Sequence, residues 1–539
     1  MIGIFGMGGV GKSTVAKAIY NHLIMSFQGF DGSCFLANIR QVSSKGHNGL
    51  VALQEKLLHN TLKRKNFEIN NVDEGISLIK ARLHSKKVLI VLDEIDQISQ
   101  LESLAGQRNW FGKGSVVIVT TRDSHLLSDL GTKETYMVKK LSIGDSLQLL
   151  SWHAFGVPIP LKEYYGLCKT IASYTDGLPL ALTIIGSHLR RRSVQEWIEE
   201  VEKLRSKPRD DIQKVLKRSY DALDDDTKNI FLDISCFFVG HDKKDTTMIL
   251  EACGFHAKCG IRSLIERCLL TSQGGGEFER LEMHDLVQDM GREIVKKEYP
   301  RDPSKRSRLV DPKDVFDVLQ GNKGTEAIEG MIVKSNMLRN VVLSTKVFIM
   351  MVNLRILILD GVRLGGSFKY LSNELRLLSF HNCHLSHIQL DFDFMKLVEL
   401  DLKGSNIEEF QPNMQNFICL RILKLDSCKQ LKNTPDFSGA QSLQDISFKC
   451  CSNLAKVHPS IRNLERLVRL DFTECEKLEM LPSSICKLKS LECLMLYGCQ
   501  NLRELPIDFG KLEQLQILDA GNTALSHLVA CGSIKKKSK

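Results

Sequence analysis

The 539-residue sequence predicts a multidomain protein in which an α/β domain with a parallel sheet comes first, helical segments follow, and a solenoid of short repeats comes last. Three observations support this order. A glycine-rich loop at residues 6–14 stands between a strand pattern and a helix pattern. Continuous apolar runs further on end in polar side chains, and apolar residues recur every 21 to 24 residues from Leu354 onward. The length also favours several domains, because one hydrophobic core rarely grows this large.

The first element is the segment GMGGVGKST, which has the G-x-x-x-x-G-K-[ST] spacing of a phosphate-binding P-loop. Its glycines let backbone N–H groups curl around phosphate oxygens, and a helix starting near Lys12 points its positive dipole end at the same anion. We expect Lys12 to reach the β- and γ-phosphates and the Ser13 hydroxyl to ligate Mg²⁺. The loop residues expected to hold a nucleotide are Gly6, Gly8, Gly9, Val10, Gly11, Lys12, Ser13 and Thr14.

Two later apolar runs are predicted to be further strands of the same sheet. The run VLIVL at residues 88–92 is continuous, which is typical of a buried parallel strand, and Asp93 and Glu94 follow at its carboxyl end, where ligands of open α/β sheets bind. We expect Asp93 to hold Mg²⁺ and Glu94 to polarise an attacking water. The alternative is two surface acids after a core strand. The run VVIVTT precedes Arg122, which can contact a terminal phosphate, although strand-end arginines are usually solvated.

The pattern turns helical beyond about residue 145. The segment GLPLAL places Pro179 at the start of an apolar helix, where proline is favoured. The stretch FLDISCFF predicts a buried helix. In the later segment MHDL, we expect Asp285 to cap the next helix, and a lone histidine such as His284 is ordinarily structural.

From Leu354 the template L-x-x-L-x-L repeats over eight units, which is the leucine-rich repeat signature of a strand plus a connecting arc. Eight units are enough to bury a continuous core by stacking. Five cysteines share one slot, three residues after the last apolar of the template, where we expect them to bond the turn and pack inside. They are Cys383, Cys428, Cys451, Cys475 and Cys499. Varied side chains beside the strand apolars predict a concave surface for protein recognition, and a solvated face without a partner is the alternative.

Composition excludes several classes of protein. No apolar run is long enough to cross a bilayer, and the first residues hold no secretory signal. The net charge of +9, four of it from the lysines of residues 535–539, is too mild to argue for nucleic acid. The basic tail is either a short nuclear-import signal or a solvated end. No Cys-x-x-Cys pair is present, so a zinc ribbon is unsupported. Because several cysteines occupy the repeat slot, we expect a reduced, intracellular compartment, cytoplasmic or also nuclear.

Taken in order, GMGGVGKS, LDEID, TTRD, GLPLAL, FLDISCFF and MHDL resemble the nucleotide-binding module of plant disease-resistance proteins, a nucleotide-binding leucine-rich repeat family. Asp96 and the segments FLANIR and FLDISCFF resemble the subclass with an amino-terminal Toll/interleukin-receptor domain. The resemblance implies helical and winged-helix domains, a γ-phosphate sensor at Arg122, packing of Pro179 near adenine and contact of His284 with the β-phosphate of ADP. Because the chain begins inside the first strand, the upstream signalling domain and base-contacting linker are expected to be absent.

The predicted domains are a P-loop nucleotide-binding domain at 1–145, a helical domain at 146–220, a winged-helix domain at 221–325, leucine-rich repeats at 326–530 and a basic tail at 531–539. The resemblance implies an intracellular switch in plant defence that binds ADP or ATP with Mg²⁺ and hydrolyses ATP slowly at most. Its repeats would recognise a pathogen effector or a guarded host protein, and activation would involve homo-oligomers. A turnover ATPase or kinase, and a regulatory repeat scaffold with a degenerate nucleotide site, remain the alternatives.

Overall fold

The computed structural model describes residues 1–26, 29–43, 47–63, 67–128, 134–206, 210–275, 278–334, 342–384 and 394–525. The chain forms two compact units, one made of Met1–Phe231 and Lys258–Gly291, the other of Leu232–Ala257 and Arg292–Lys539. The predicted basic tail, residues 531–539, lies outside the described residues. The bounds predicted for the five domains stay predictions.

The first unit begins with a parallel sheet surrounded by helices. Its elements are, in chain order, β1 (Ile2–Phe5), α1 (Lys12–Ser26), β2 (Gly32–Leu36), α2 (Ile39–Ser43), α3 (His47–Leu62), α4 (Val72–Leu83), β3 (Val88–Ile95), α5 (Ile98–Ala105), β4 (Val116–Thr121), α6 (His125–Ser128) and β5 (Glu134–Met137). The strand order is β2-β3-β4-β1-β5, and every neighbouring pair is parallel. The predicted P-loop strand and the two later strands are therefore confirmed.

Strand β3 is buried on both faces, as its continuous apolar run predicts. Val88, Ile90 and Leu92 pack into one hydrophobic cluster, whereas Leu89 and Val91 pack into a second cluster that also holds Ala16 of α1 and Ile118 of β4. Because all five strands are parallel, their carboxyl ends meet at one edge of the sheet. That edge carries the P-loop after β1, the acidic pair in β3 and Arg122 after β4.

Helices follow the sheet, as predicted. They are α7 (Ile143–Phe155), α8 (Tyr165–Tyr174), α9 (Pro179–Leu189), α10 (Val194–Ser206), α11 (Asp210–Asp221), α12 (Asp225–Asp233), α13 (Lys243–Ala252) and α14 (Ala257–Glu266). The hairpin of β6 (Thr271–Gly275) and β7 (Phe278–Glu282) precedes α15 (Asp285–Glu298). Pro179 stands at the start of α9, as predicted, and α12 continues into a buried π-helical stretch at Ile234–Phe238.

The second unit contains the repeats. Its later elements are β8 (Arg308–Leu309), α16 (Pro312–Gln320), β9 (Gly330–Lys334), β10 (Val342–Ser344), β11 (Ile356–Asp360), β12 (Arg363–Gly365), β13 (Leu377–His381), β14 (Glu399–Asp401), β15 (Ile422–Lys424), β16 (Asp445–Ser447), β17 (Arg469–Asp471), β18 (Cys493–Met495) and β19 (Ile517–Asp519). Ten of these strands form one parallel sheet, in the order β19-β18-β17-β16-β15-β14-β13-β11-β9-β8. The predicted repeats are confirmed, with one strand for each unit.

One further repeat precedes the predicted first one. Ile328, Met331 and Val333 are buried in the repeat core and fit the same template, and β9 pairs with β11 in register. The sequence period did not indicate this unit because Ile328 lies 26 residues before Leu354 (354 − 328), which breaks the spacing of the later units.

The cysteine slot has the structure that the repeats predict. The Sγ atoms of Cys451 and Cys475 donate to the carbonyl oxygens of Leu425 and Phe448 at 3.0 and 3.1 Å, and the side chains of both cysteines are fully buried. Cys428 and Cys499 make the equivalent bonds. Burial raises the pKa of all four thiols, to about 11 for Cys499. These cysteines are therefore structural groups that hydrogen-bond each turn to the preceding repeat.

Candidate functional site

The P-loop has the backbone conformation that its glycines allow. Gly6, Gly9 and Gly11 have φ values of 146°, 81° and 98°, which residues with a Cβ rarely adopt. The Nζ atom of Lys12 donates to the carbonyl oxygens of Gly6 and Met7, both at 2.8 Å. Lys12 is only 8% exposed, and burial, followed by the nearby Arg122, lowers its pKa to about 8. The loop therefore holds its lysine folded back against its own backbone.

A β-bulge in β3 fixes the positions of the acidic pair Asp93 and Glu94. The pairing register between β3 and β4 shifts between Leu92 and Ile95, and Glu94 has φ 63°, a left-handed conformation that is uncommon for glutamate. Thr120 of β4 joins the two acids: its Oγ1 donates to Asp93 Oδ1 at 2.6 Å and accepts from the Glu94 N–H at 2.9 Å. Asp93 is thereby buried and fixed, while Glu94 points into the cavity described below.

Arg122 is held by helix α11. Its Nη1 donates to the carbonyl oxygen of Val215 at 2.9 Å and to Ser219 Oγ at 3.3 Å. Burial first of all, and then the neighbouring Arg40 and Arg218, lower the pKa of this guanidinium. A Cβ on Gly8 would lie 2.8 Å from Arg122 Nη1, so the glycine in the P-loop is what lets the arginine approach this closely.

The P-loop also packs against the start of α9. Leu180 donates its N–H to the carbonyl oxygen of Gly9 at 3.1 Å, which satisfies one of the free donors in the first turn of the helix. A Cβ on Gly9 would come within 2.8 Å of Leu180 Cβ. The GLPLAL segment is thus fixed directly to the loop, and Pro179 lies on the wall of the same cavity.

A cavity of about 650 Å³ gathers these residues. Of the residues predicted to hold nucleotide, it brings together the following: Gly9, Gly11, Lys12, Ser13, Thr14, Glu94, Arg122 and Pro179. Its wall does not include Gly6, Gly8, Val10, Asp93 or His284. A cavity of this size suits a ligand of nucleotide dimensions.

Cations outnumber carboxylates on the cavity wall. Five cations line it (Lys12, Arg40, Arg122, Arg218, Arg267), against three carboxylates (Glu94, Asp96, Asp123). Four of these groups form two ion pairs within the wall: Arg40 lies 2.9 Å from Asp96, and Arg267 lies 3.5 Å from Asp123. Lys12 and Arg122 donate instead to uncharged oxygens, although burial disfavours their charge. The residues present therefore fit a polyanionic ligand such as a nucleotide.

A magnesium ion would need the nucleotide as well as the protein. Within the described part of the chain, no group of three or more His, Cys, Asp or Glu side chains could hold a metal ion. Mg²⁺ at P-loops keeps several waters and uses one or two protein oxygens plus phosphates. Ser13 on the cavity wall and the buried carboxylate of Asp93, which is close enough to raise the pKa of Lys12, are the oxygen donors that fit this role.

His284 lies away from the cavity wall and caps a helix. Its Nδ1 accepts the N–H of Leu286 at 3.1 Å at the start of α15, so the prediction that Asp285 is the cap is wrong: Asp285 is already the first helical residue. The ring is buried, which lowers the pKa of His284 to about 4, with Lys140 adding to the effect and Asp176 opposing it. Its Nε2 has no hydrogen-bond partner among the described residues and lies 3.7 Å from Asp176 Oδ2.

The concave face of the repeats is partly engaged within its own unit. Lys424, one of the side chains beside the strand apolars for which we predict a recognition surface, contacts Asp245 of α13 at 2.8 Å and Glu399 at 3.0 Å. In the later repeats, Lys449 lies 3.4 Å from Asp471, whereas Tyr497 is 45% exposed. Exposed side chains of this face, such as Tyr497, therefore remain in the repeats after β15.

Sequence reasoning missed two cations of the cavity wall, Arg218 and Arg267, and the contacts of Thr120 behind it. Arg218 and Arg267 lie on or just after helices, in segments without a recognised motif, and no local signal marks them. Thr120 was visible only as part of the TTRD segment, and its contact with both acids follows from the bulge rather than from the sequence. Conversely, Asp96 and Arg40 were identified separately, and the structure joins them in one ion pair.

Comparisons with known proteins agree with this architecture. The NB-ARC domain model matches residues 1–158, and the model for the winged-helix domain of Roq1-like disease resistance proteins matches residues 224–299. The chain is thus a protein with an NB-ARC domain and a Roq1-like winged-helix domain, followed by leucine-rich repeats. The resemblance drawn from the six motifs is confirmed.

Its homologues are plant disease resistance proteins of the Toll/interleukin-receptor type. Disease resistance protein RUN1 of Vitis rotundifolia is 38% identical over 496 residues, which cover 86% of this chain and 37% of that protein. TMV resistance protein N of Nicotiana glutinosa is 37% identical over 468 residues, covering 86% of this chain and 40% of that protein. The chain therefore spans well under half the length of these relatives.

Among solved structures, the leucine-rich repeat domain of the type III effector XCV3220 (XopL) aligns with 57% of this chain and 94% of that chain at 16% identity and a TM-score of 0.29, too low to add to the repeat fold seen directly. No helix in the described residues is long and apolar enough to cross a membrane.

Proposed function

We propose that this chain is the nucleotide-operated part of a plant defence switch, in which the cavity of the first unit binds ADP or ATP with Mg²⁺ and the repeats contact a pathogen effector or a guarded host protein. The observation that carries the proposal is the cationic cavity built on the P-loop, where five cations face three carboxylates. The match of the NB-ARC model to residues 1–158, which include the P-loop, supports it independently.

The proposed role of each residue follows from its chemistry. Lys12 and the P-loop N–H groups bind phosphate oxygens, which are better acceptors for the lysine than the two carbonyls it now contacts. Ser13 and Asp93 ligate Mg²⁺, which neutralises phosphate charge when bound. Glu94, held by its strained backbone and Thr120, orients a water molecule. The proposal includes slow hydrolysis at most, with oligomer formation on activation.

The switch role of His284 is part of the same proposal. A buried ring nitrogen without a partner costs free energy, so Nε2 is available for a ligand or for a rearranged Asp176. We propose that His284 contacts the β-phosphate of ADP in the inactive state. The neutral ring, which accepts from the Leu286 N–H through Nδ1, carries its proton on Nε2 and is therefore a donor there.

For partner recognition, we propose the concave face of the repeats after β15. Lys424 is already paired with Asp245, whereas Met495 and Tyr497 are partly or well exposed on neighbouring positions. An exposed tyrosine beside a methionine is typical of protein-binding surfaces. The partner is then a protein, and the switch would act inside the cell, in the cytoplasm with nuclear entry as an alternative.

The test is direct binding of nucleotide to the purified chain. Protein isolated without added nucleotide is denatured, and the supernatant is analysed by ion-exchange chromatography; we expect ADP at a near-stoichiometric amount. Calorimetric titration of the emptied protein with MgADP and MgATP should give saturable binding that Lys12→Ala abolishes. Lys17→Ala is the matched control, because Lys17 is exposed on α1, close to the loop but outside the cavity wall. Folded wild-type protein that neither carries nor binds a nucleotide would overturn the proposal.

A further inference from the structure

One face of helix α11 lines the cavity. Val215, Arg218, Ser219 and Ala222 all line the cavity wall and follow one another at helical spacing, i, i+3, i+4 and i+7. The neighbouring face of the helix is buried in the first unit through Ile212, Leu216 and Tyr220. The helix is thus anchored by its apolar face while its other face meets whatever the cavity binds.

The same helix fixes Arg122. The guanidinium donates to the backbone of Val215 and to the hydroxyl of Ser219, so the arginine that ends β4 and the helix that carries Arg218 are directly connected. Among the described residues, Arg218 itself has no hydrogen bond or ion pair. Two guanidinium groups therefore lie in one cavity, where Arg218 is close enough to lower the pKa of Arg122 and Glu94 on the same wall opposes that effect.

Two like charges in this arrangement cost free energy unless an anion lies between or beside them. A phosphate group is the anion that arginine pairs recognise best, because each guanidinium can give two parallel hydrogen bonds. The carboxylates on the cavity wall are already committed in part: Asp96 pairs with Arg40 and Asp123 with Arg267. Among the described residues, Arg122 and Arg218 form no ion pair with a wall carboxylate, although Glu94 lies close enough to raise the pKa of Arg122.

We propose that Arg218 of α11 binds the terminal phosphate of a nucleoside triphosphate together with Arg122, so that α11 is the element by which the chain distinguishes ATP from ADP. This inference rests on the proposed nucleotide site and adds to it a residue outside the recognised motifs. Because Val215 and Ser219 hold Arg122, the phosphate would engage the sheet edge and the helix at once.

The test compares the dissociation constants of MgATP and MgADP for variants of the full chain. Arg218→Gln should weaken MgATP binding about tenfold, the size of one lost charge-assisted hydrogen bond, and MgADP binding by less than about threefold. Lys217→Gln is the matched control: it removes the same charge from the next residue of α11, which is exposed and pairs with Asp221 rather than lining the cavity. Both constants should stay within about twofold for this variant.

A double-mutant cycle gives a second measurement. If both arginines contact one phosphate, Arg122→Gln and Arg218→Gln together should weaken MgATP binding by clearly less or more than the product of the two single effects. Arg218→Lys keeps the charge and should recover part of the ATP affinity. Thermal unfolding without nucleotide should be the same for wild type and Arg218→Gln, since the side chain is exposed and forms no hydrogen bond or ion pair with the described residues.

The outcomes separate this inference from the proposed function. Equal weakening of ATP and ADP by Arg218→Gln, or no change in either, overturns the terminal-phosphate role while the nucleotide site stands. Wild-type protein that binds neither nucleotide overturns both. A loss of ATP affinity in Lys217→Gln equal to that in Arg218→Gln would mean that only general electrostatic attraction is measured, and it would also overturn the inference.

Discussion

Replacing Asp233 with asparagine should destabilise the second unit by several kcal/mol, because Asp233 is the buried centre of an ionic network. The carboxylate is fully buried and accepts from Arg308 Nε at 2.7 Å and from Arg355 Nη1 and Nη2 at 2.6 and 3.0 Å. Burial alone would raise the pKa of Asp233, but the two arginines outweigh it and the pKa is lowered. Asp233→Asn removes the carboxylate that Arg308 and Arg355 share. Of the two, Arg355 has a second carboxylate beside it, that of Glu329.

The magnitude follows from this geometry. Removing one partner of a buried ion pair costs about 3–5 kcal/mol, mostly because the remaining charge is left without compensation. Arg355 keeps a second contact, to Glu329 Oε2 at 2.9 Å, whereas Arg308 is 3% exposed and loses its carboxylate entirely. We therefore expect a loss of about 3–4 kcal/mol. At roughly 2–4 °C per kcal/mol for a unit of this size, the unfolding midpoint should fall by about 6–15 °C.

Differential scanning calorimetry of the full chain measures this fall, and hydrogen–deuterium exchange with peptide mass spectrometry shows whether residues 232–257 and the first repeat strands are the part that loosens. The control is Glu408→Gln, which breaks the exposed pair with Lys432 (3.3 Å, 48% and 62% exposed) and should cost at most about 1 kcal/mol. The double variant Asp233→Leu/Arg308→Met should recover part of the loss. Asp233→Asn protein that melts like wild type would refute the reasoning.

Three further predictions follow from the site and the repeats. Maleimide should label the exposed Cys259 and Cys419 rapidly in native protein, whereas peptide mapping should show the slot thiols labelled only after denaturation; fast native labelling would mean that the slot is open. Those slot thiols are Cys428, Cys451, Cys475 and Cys499. Thr120→Val should lower stability by about 1–3 kcal/mol and weaken Mg²⁺-dependent nucleotide binding, since it removes the donor to Asp93; Thr120→Ser should retain both in calorimetry, and equal behaviour of the two variants would contradict this role. For His284, the lowered pKa of about 4 means that the unfolded chain takes up a proton below about pH 6.5 while the folded chain does not, so stability is lost as pH falls from about 6.5 to 4. The stability difference between wild type and His284→Gln should therefore shrink over this range in urea titrations, and a pH-independent difference would contradict it.

The parts of the fold that could be predicted are those encoded by contiguous residues. The P-loop requires glycines at fixed spacing, a buried parallel strand requires a continuous apolar run such as that of β3, and a stacked repeat requires its template in every unit. Each of these signals lies within a short segment of sequence, so it can be recognised without knowledge of the tertiary structure. The repeat at Ile328 was missed for the complementary reason, since its template is intact but its spacing to the next unit is longer.

The parts that could not be predicted depend on contacts between distant segments. Arg218 lies on a helix that shows no phosphate-binding motif, and only the packing of α11 against the sheet edge places it in the cavity. Lys424 fits the pattern of a free concave residue, yet Asp245 of α13 neutralises it. The cap of α15 was assigned to Asp285 from residue preference alone, whereas the histidine before it supplies the acceptor.

Two of the three features that resemble the Toll/interleukin-receptor subclass, Asp96 and the FLANIR segment, are joined by an ion pair. Arg40 follows β2 and Asp96 follows β3, and their side chains meet at 2.9 Å on the cavity wall. Arg40 is also one of the two cations that lower the pKa of Arg122, so Asp96 offsets a charge that would otherwise add to the repulsion around that guanidinium. A side chain without a carboxylate at position 96 would leave Arg40 without its partner at 2.9 Å on the cavity wall. The identity of residue 96 therefore belongs with that of residue 40, because together they set the charge that the cavity offers to phosphate.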